Sequence, residues 1–172
     1  MAFQYKTSKR PLSSEEENTT LENKLYQWAT LRCSQKEYCL SELSKKMQTK
    51  GATMQQIERI LERLIQEKYV DESRYANAFV SDKIRFDHWG RVKIRYALQQ
   101  KGIASSLIDE AISNICTSDY QEVLQDFIHQ RLKTTKGKST YDINQKVARA
   151  AISRGFEAQL VFDILSLKID NN

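Results

Sequence analysis

The chain has 172 residues and a formal net charge of +5, with 40% hydrophobic and 28% charged residues. This composition belongs to a folded globular protein and excludes a fully disordered chain. No apolar run approaches the roughly 20 residues that a membrane-spanning helix needs, and residues 1–11 lack the apolar core of a signal peptide. We therefore expect a cytoplasmic protein without a membrane partner, whose positive charge permits binding to nucleic acid or to an acidic protein.

Residues that could hold a metal or cofactor are sparse. Cys33, Cys39 and Cys116 are odd in number and scattered, which argues against a disulfide framework. Zinc needs closely paired Cys or His ligands, and the sequence has none, since His88 and His129 lie far apart. We expect no metal and no cofactor.

The motifs of common enzymes are also missing from the sequence. Gly137–Ser139 has the order glycine, lysine, serine, but Leu132 occupies the position where a phosphate-binding loop needs its first glycine. Paired carboxylates such as Asp109 and Glu110 fall at a helix start, where the helix dipole accounts for them. We predict that the protein is not an enzyme.

The spacing of apolar residues predicts an all-α fold, because one proline and five glycines are too few for a protein with many β-turns. Residues 1–19 are polar and are expected to form a flexible tail. The first helix is predicted from about Thr20 to the mid-thirties, with Leu21, Leu25, Trp28 and either Leu31 or Arg32 on its inner face.

The start of the second helix has two interpretations. Ser34–Glu37 fits a capping box, whereas the repeat described below places the start after Cys39. The helix then ends at Lys50–Gly51, and a third opens at Thr53, with Gln56 completing a capping box. The core stripe of the third helix comprises Ile57, Ile60, Leu61, Leu64 and Ile65.

The fourth helix leads into a corner. Asp71 is a good N-cap for this helix, and Tyr75 and Phe79 lie on its apolar stripe. Trp89–Gly90 then breaks the helical pattern. We expect Trp89 to pack between helices, with stacking on a nucleic-acid base as the alternative.

Five further helices and one basic loop follow the corner. The fifth helix spans Arg91–Lys101 and is ended by Gly102, after which a sixth helix follows. A capping box at Ser118–Gln121 is predicted to open the seventh helix, and Lys133–Thr140 is a basic loop. The eighth helix ends at Arg154–Gly155. The ninth carries the stripe Leu160, Val161, Ile164 and Leu165.

The chain repeats internally. Gly51, Gly102 and Gly155 each follow a basic residue and are spaced by about 50 residues, the period of a helical repeat. Apolar residues recur at matching offsets from each glycine, as in Leu43, Ile94 and Val147.

The repeat predicts three tandem three-helix modules, at residues 20–69, 70–117 and 118–172. One such module alone has a marginal core, so neighbours are expected to pack. We predict an elongated and curved monomer.

Two stretches concentrate positive charge, one around the fifth helix and one around the loop before the eighth. Arg91, Arg95 and Gln99 share one helix face, and like charges four residues apart are unfavourable unless an anion meets them. Phosphate backbones need charge rather than base readout, while a solvated face without a partner is the alternative. The candidate contact residues are Lys83, Arg85, Arg91, Lys93, Arg95, Tyr96, Lys133, Lys136, Lys138, Lys146 and Arg149.

Other cations have structural interpretations. Arg74 is expected to pair with an acid of its own module. Lys50, Lys101 and Arg154 precede glycines that end helices, where a cation complements the helix dipole.

An ordered set of residues in the middle of the chain carries a family resemblance. The set comprises Asp71, Arg74-Tyr75-Ala76, Val80, Trp89-Gly90, Ile94, Leu98 and Lys101-Gly102-Ile103. It closely resembles the RecX family, and Arg154–Phe156 extends the likeness to the last module. In the first module Lys36 and Cys39 stand where the family has an arginine and a capping serine, and cysteine is a poor cap.

The resemblance implies an all-helical protein of three three-helix repeats that regulates the RecA recombinase. Members of the family bind along the groove of the RecA–DNA filament and hinder its growth or speed its loss. They thereby lower ATP hydrolysis and strand exchange, which modulates recombination, DNA repair and the SOS response. The implied partners are the RecA filament and the phosphates of single- and double-stranded DNA, and the family has no catalytic residues.

The residues that we interpret as fold-specifying are Asp71, Tyr75, Phe79, Trp89, Gly51, Gly102 and Gly155. Two other functions also fit the sequence. A general DNA-binding protein could use the modules as helix-turn-helix units, and a helical adaptor would need its charge only for solubility. The repeat and the mixed charge of Glu58–Arg63 in the first module favour the filament regulator over a dedicated DNA reader.

Overall fold

The computed structural model describes the backbone of residues 14–169 and the side chains of residues 19–166. Between Ser14 and Ile169 the chain forms nine α-helices and no strand. The helices are α1 (Ser14–Cys33), α2 (Leu40–Gln48), α3 (Met54–Gln66), α4 (Glu72–Arg85), α5 (Arg91–Gln100), α6 (Ser105–Ser113), α7 (Thr117–Thr134), α8 (Thr140–Ser153) and α9 (Ala158–Ile169). The all-α prediction is confirmed.

The helices pack in three successive groups of three. Helix α3 packs against α1 and α2, α6 packs against α4 and α5, and α8 packs against α7 and α9. We call these groups modules 1, 2 and 3. Across the boundary between modules 2 and 3, α4 also contacts α7.

The apolar interior is divided unequally among the modules. Module 1 has its own core, built around Leu43, Met47 and Leu64. A second core runs without interruption through modules 2 and 3, from Tyr75 on α4 to Leu165 on α9, and it also includes Cys39, the buried N-cap of α2 in module 1. Modules 2 and 3 therefore form one body, and module 1 contributes Cys39 to its core.

Several helix starts agree with the sequence prediction. Thr53 and Gln56 form the predicted capping box at the start of α3. The Asp71 carboxylate accepts a hydrogen bond from the Arg74 N–H at 3.0 Å, as expected of an N-cap. Helix α2 begins after Cys39, in agreement with the repeat, and the alternative capping box at Ser34–Glu37 is wrong because those residues lie in the connection before α2.

Three boundaries differ from the prediction. Helix α1 begins at Ser14 rather than near Thr20, and the part of the predicted tail at residues 1–13 lies outside the described residues. Helix α7 begins at Thr117, so the capping box predicted at Ser118 is wrong; the N-cap is Cys116, which makes no side-chain cap bond. Because α7 continues to Thr134, Lys133 lies on a helix rather than in the basic loop.

The three repeated glycines have left-handed backbone angles, which confirms the structural reason for their spacing. Their φ angles are +88° at Gly51, +80° at Gly102 and +90° at Gly155. Glycine is the residue that adopts this conformation without steric cost. Each glycine follows the end of the second helix of its module and turns the chain toward the third.

The aromatic residues predicted to specify the fold pack where α4 and the corner meet. The rings of Tyr75 and Phe79 stack with centroids 6.0 Å apart, and Phe79 meets Trp89 edge to face at 6.5 Å. The Trp89 backbone N–H donates to the Lys83 carbonyl at 2.9 Å. Trp89 therefore packs within the module, as predicted.

Candidate functional site

The junction between modules 1 and 2 has a polar part, which centres on Glu42. The Glu42 carboxylate pairs with Lys101 and accepts a hydrogen bond from the Tyr75 hydroxyl at 3.2 Å. The Ser41 hydroxyl donates to the Lys101 carbonyl at 2.6 Å. Burial raises the pKa of the Tyr75 hydroxyl above its ordinary value, so Tyr75 stays protonated and acts as the donor. Lys101 is thus a junction residue and not only a helix-end cation.

Arg74 also belongs to this junction, which corrects its predicted partner. Its guanidinium pairs with Glu37 of module 1 at 2.9 Å and lies 3.9 Å from Asp71 of its own module. The guanidinium also donates to the Lys68 carbonyl at 3.3 Å. The main partner of Arg74 is therefore in the neighbouring module.

Arg91 lies at the boundary between modules 2 and 3. Its guanidinium pairs with Glu157 at 3.4 Å and lies 4.1 Å from the centroid of the Tyr120 ring. The Tyr120 hydroxyl accepts from the Arg91 backbone N–H at 3.0 Å and donates to Glu157 at 2.6 Å. Burial, together with the bond to Glu157, raises the pKa of the Tyr120 hydroxyl.

These contacts change the interpretation of the cationic stripe on α5. Arg91 is half-buried in the module boundary, and Arg95 pairs with Asp109 of α6. The pair therefore does not form the free cationic face that the helical spacing predicts. Tyr96 remains 63% exposed on α5, and the Lys93 ammonium lies 4.3 Å from the centroid of the Trp89 ring.

The end of α4 contributes one paired and one unpaired cation. Lys83 pairs with Asp87 at 2.6 Å and lies over the rings of Phe79 and Trp89. Arg85 is exposed, and no carboxylate in the described part of the chain pairs with it. Of these two candidates, Arg85 is the more available to a partner.

The basic loop before α8 is held by one carboxylate. Asp142 accepts from the Lys138 backbone N–H at 3.0 Å and pairs with Lys146 at 2.9 Å. Lys146 also donates to the Lys136 carbonyl at 3.1 Å. The bond from Lys146, followed by that from the Lys138 N–H, lowers the pKa of Asp142, so this acid stays ionised and keeps the loop ordered.

The remaining cations of this region face solvent. Lys133, Lys136, Lys138 and Arg149 are exposed. None of their side chains pairs with a carboxylate whose position is described. Arg85 lies in a different place, in a groove that is also lined by Asp119, Glu122 and Asp126.

A groove at the boundary of modules 2 and 3 was missed by the sequence analysis. It has a volume of about 330 Å³ and is lined by His88, Phe127, Gln130, Arg131, Thr134 and Arg154. No local motif joins these residues, because they come from the corner, from α7 and from the end of α8. The sequence analysis found Arg131 only as part of a basic run, and Arg154 only as a cation at the end of a helix.

The described residues contain neither a membrane-spanning helix nor a metal-binding cluster. Across Ser14–Ile169, no helix is long and apolar enough to cross a bilayer. Within the same range, no group of three or more His, Cys, Asp or Glu side chains is placed to hold a metal ion.

The fold and this surface define a class: an all-α protein of tandem three-helix modules with unpaired cations on its second and third modules. Two family models match the chain, the second three-helix domain of RecX at residues 71–112 and the third at residues 118–165. The chain belongs to the RecX family of regulatory proteins.

Individual relatives agree with this assignment. The regulatory protein RecX of Pseudomonas fluorescens is 33% identical over 133 residues, which cover 77% of this chain and 84% of that protein. RecX of Clostridium botulinum is 29% identical over 127 residues, which cover 73% of this chain and 59% of that protein. The chain thus spans less than two thirds of the length of this clostridial relative.

Solved structures share the fold. A crystal structure of regulatory protein RecX superposes with a TM-score of 0.78 at 22% identity, covering 91% of this chain and 79% of the other. The crystal structure of RecX from Lactobacillus salivarius gives a TM-score of 0.76 at 18% identity, covering 90% and 99% of the two chains.

Proposed function

We propose that this protein binds, as a monomer, to the filament that RecA forms on DNA, and that it inhibits filament growth, ATP hydrolysis and strand exchange. Through this inhibition it modulates recombination, DNA repair and the SOS response. The observation that carries the proposal is the match of modules 2 and 3 to successive RecX domains. The same two modules carry the exposed cations Arg85, Lys133, Lys136, Lys138 and Arg149, which have no described carboxylate partner.

The exposed cations of modules 2 and 3 support a partner that carries phosphate. Arg85, Lys133 and Arg149 are exposed and have no described carboxylate partner. Module 1 contains paired arginines, Arg59 with Glu22 and Arg63 with Glu67, and also exposed lysines such as Lys45 and Lys46 that have no described carboxylate partner. A DNA-bearing filament offers phosphates to the cations of modules 2 and 3, while the mixed charge of module 1 suits a protein surface.

The shared core of modules 2 and 3 also supports binding along a filament. One continuous interior holds the two modules in a fixed relation, so their cations are presented together rather than on independently moving units. Such preorganisation lowers the entropic cost of engaging several sites at once.

A sequence-reading DNA-binding protein is the second candidate, and the third helix of module 2 disfavours it. In helix-turn-helix proteins this helix enters the major groove and contacts the base edges. Helix α6 has no basic residue and carries Asp109 and Glu110, both exposed. Those carboxylates would meet the phosphates that flank the groove, and such contacts are repulsive.

The test is DNA-dependent ATP hydrolysis by the cognate RecA on single-stranded DNA, with this protein added well below the RecA concentration. We expect clear inhibition at levels too low to cover the DNA. Inhibition only at levels that coat the DNA would instead favour direct competition for DNA, and no inhibition would contradict the proposal.

A charge-reversal pair identifies the surface. Replacing Lys133 and Lys136 by Glu should weaken the inhibition and its dependence on salt. Replacing Lys45 and Lys46 by Glu is the matched control, because these exposed lysines also lie near a helix end but belong to module 1. Equal losses in both variants would remove Lys133 and Lys136 from the proposed contact surface.

A further inference from the structure

A groove between α4 and α7, which we call the α4–α7 groove, has an apolar floor. It has a volume of about 650 Å³ and lies where these two helices pack against each other. Val80 and Ile84 of α4 form its floor together with Ile115 and Val123. Ile115 and Val123 pack against the core but are only half-buried. The groove therefore leaves an edge of the core in contact with water, and covering such an edge is favourable.

The residues along the α4–α7 groove have the spacing of helix faces. Asn77, Val80 and Ile84 follow one another on α4 at intervals of three and four residues, which places them on one face. Asp119 and Val123 of α7 lie four residues apart and face them. Two helix faces side by side form the kind of channel that receives a third, amphipathic helix.

The α7 wall of the groove is acidic. Asp119, Glu122 and Asp126 line it at intervals of three and four residues, and like charges at these spacings destabilise a helix. The helix dipole accounts for Asp119 in the first turn, but its effect does not extend to Glu122 and Asp126. No Lys or Arg whose side chain the structure describes forms an ion pair with any of the three. The chain thus leaves this negative charge uncompensated.

The acidic wall lies far from the cations of module 3, although both belong to α7. Asp119 is in the first turn of this helix and Lys133 in its last, so about 21 Å along the helix axis separates them at 1.5 Å per residue. That distance exceeds the roughly 8 Å over which physiological salt screens charge. A phosphate backbone held near Lys133 is repelled by the acidic wall. A ligand of the groove is therefore expected to be cationic protein and not nucleic acid.

We propose that the α4–α7 groove docks a cationic amphipathic helix from the protein part of the RecA–DNA filament. The inference rests on the proposed function and deepens it, because it assigns a face of modules 2 and 3 to protein. Apolar side chains of the docked helix cover Ile115 and Val123, which supplies the burial. Its Lys or Arg side chains pair with Glu122 and Asp126, which supplies specificity. Arg85, on the α4 wall, suits the carbonyl groups at the C-terminal end of such a helix.

The test is binding of the full chain to RecA filaments assembled on single-stranded DNA with a slowly hydrolysed ATP analogue, measured by biolayer interferometry. Asp126→Lys should weaken binding about tenfold, because an attraction across the interface becomes a repulsion. Asp126→Asn should weaken binding less, since it only removes the attraction. The control is Asp163→Lys, which makes the same change at an exposed aspartate of α9 in the same module and should bind as the wild type does.

The sign of the effect distinguishes the occupants. Tighter binding of Asp126→Lys would place DNA phosphates at the groove and overturn the proposal. Equal losses for Asp126→Lys and Asp163→Lys, or no loss for either, would also overturn it. Sedimentation velocity tests a second copy of this chain as the occupant: a wild-type dimer that Asp126→Lys dissociates would assign the groove to self-association instead.

The native thiol of Cys116 provides a second measurement without any substitution. Cys116 is exposed and lines the groove, so a docked helix should slow its alkylation by iodoacetamide, followed by mass spectrometry. RecA filaments should protect it, whereas single-stranded DNA alone should not. Unchanged alkylation in the filament-bound protein, or protection by DNA alone, would overturn the proposal.

Failure of the groove is distinguishable from failure of the proposed function. A wild-type protein that does not inhibit RecA ATP hydrolysis contradicts the proposed function itself. A wild type that inhibits, together with an Asp126→Lys variant that binds the filament equally well, contradicts the groove alone.

Discussion

Gly90 and Gly155 lie backbone against backbone and join modules 2 and 3. The Gly90 N–H donates to the Arg154 carbonyl at 2.9 Å, and the Val92 N–H donates to the Gly155 carbonyl at 3.1 Å. A Cβ atom on Gly90 would lie 2.1 Å from the carbonyl carbon and oxygen of Gly155. A side chain at Gly90 is therefore excluded by the neighbouring module, although its own φ of −81° suits any residue.

Replacing Gly90 by Ala should consequently destabilise the protein by about 3 kcal/mol, because overpacking forces the two backbones apart. The control is Gly102→Ala in the same body, where no atom lies within 4 Å of the added Cβ and only the left-handed backbone is penalised. That control should cost about 1 kcal/mol. Urea unfolding of the two variants checks the order, and a larger loss for Gly102→Ala would contradict this account of the boundary.

Local patterns predicted much of the fold, because they depend on neighbours along the chain. Asp71 is an N-cap, and Gly102 is left-handed, for reasons contained in a few adjacent residues. Ion pairs between modules do not depend on such local patterns. Many other acidic residues are as far from Arg74 in the sequence as Glu37 is. Glu37 becomes the partner of Arg74 only because of the way modules 1 and 2 are placed relative to each other.

The prediction of the candidate site from the sequence was limited for the same reason. Helical spacing places Arg91 and Arg95 on one face, but it cannot show that Glu157 approaches Arg91 from another module. The groove around Arg131 and Arg154 likewise arises from elements that are distant in sequence. Composition located the basic regions, whereas the availability of each cation required the tertiary structure.

The ion pair between Lys101 and Glu42 should couple modules 1 and 2. Its side chains are 26% and 29% exposed, so solvent screens it less than an open surface pair. A double-mutant cycle with Lys101→Met and Glu42→Gln should give a coupling free energy of about 1 kcal/mol. The same cycle on Arg63 and Glu67, an exposed pair within module 1, should give a smaller value. Equal couplings would show that the junction has no special electrostatic role.

Arg91 and Arg85 should differ in what their loss affects. Arg91→Ala removes the ion pair with Glu157 and should lower the free energy of unfolding by about 1–2 kcal/mol. Arg85→Ala removes an exposed side chain and should change it by less than about 0.5 kcal/mol. If Arg85 contacts the RecA–DNA filament as proposed, Arg85→Ala should nevertheless weaken the inhibition of RecA ATP hydrolysis. Urea unfolding and the ATPase assay on both variants check this, and a stable but inactive Arg91→Ala would reverse the two assignments.

Tyr120 should make stability fall at alkaline pH. Burial and the hydrogen bond to Glu157 raise the pKa of its hydroxyl in the folded protein, so the folded chain keeps a proton that the unfolded chain loses near pH 10. The contribution is complete below about pH 10 and declines above it by up to about 1.4 kcal/mol per pH unit. Tyr75 has a raised pKa for the same main reason, burial, and should add a second contribution of the same sign.

The measurement is the free energy of unfolding between roughly pH 8 and 11 for the wild type, Tyr120→Phe and Tyr75→Phe. Each phenylalanine variant should be less stable at neutral pH, because a hydrogen bond to a carboxylate is lost, and should lose less stability as the pH rises. The difference from the wild type should therefore shrink above about pH 10. Parallel curves for the wild type and Tyr120→Phe would mean that the hydroxyl at the boundary of modules 2 and 3 ionises as easily in the folded chain as in the unfolded one.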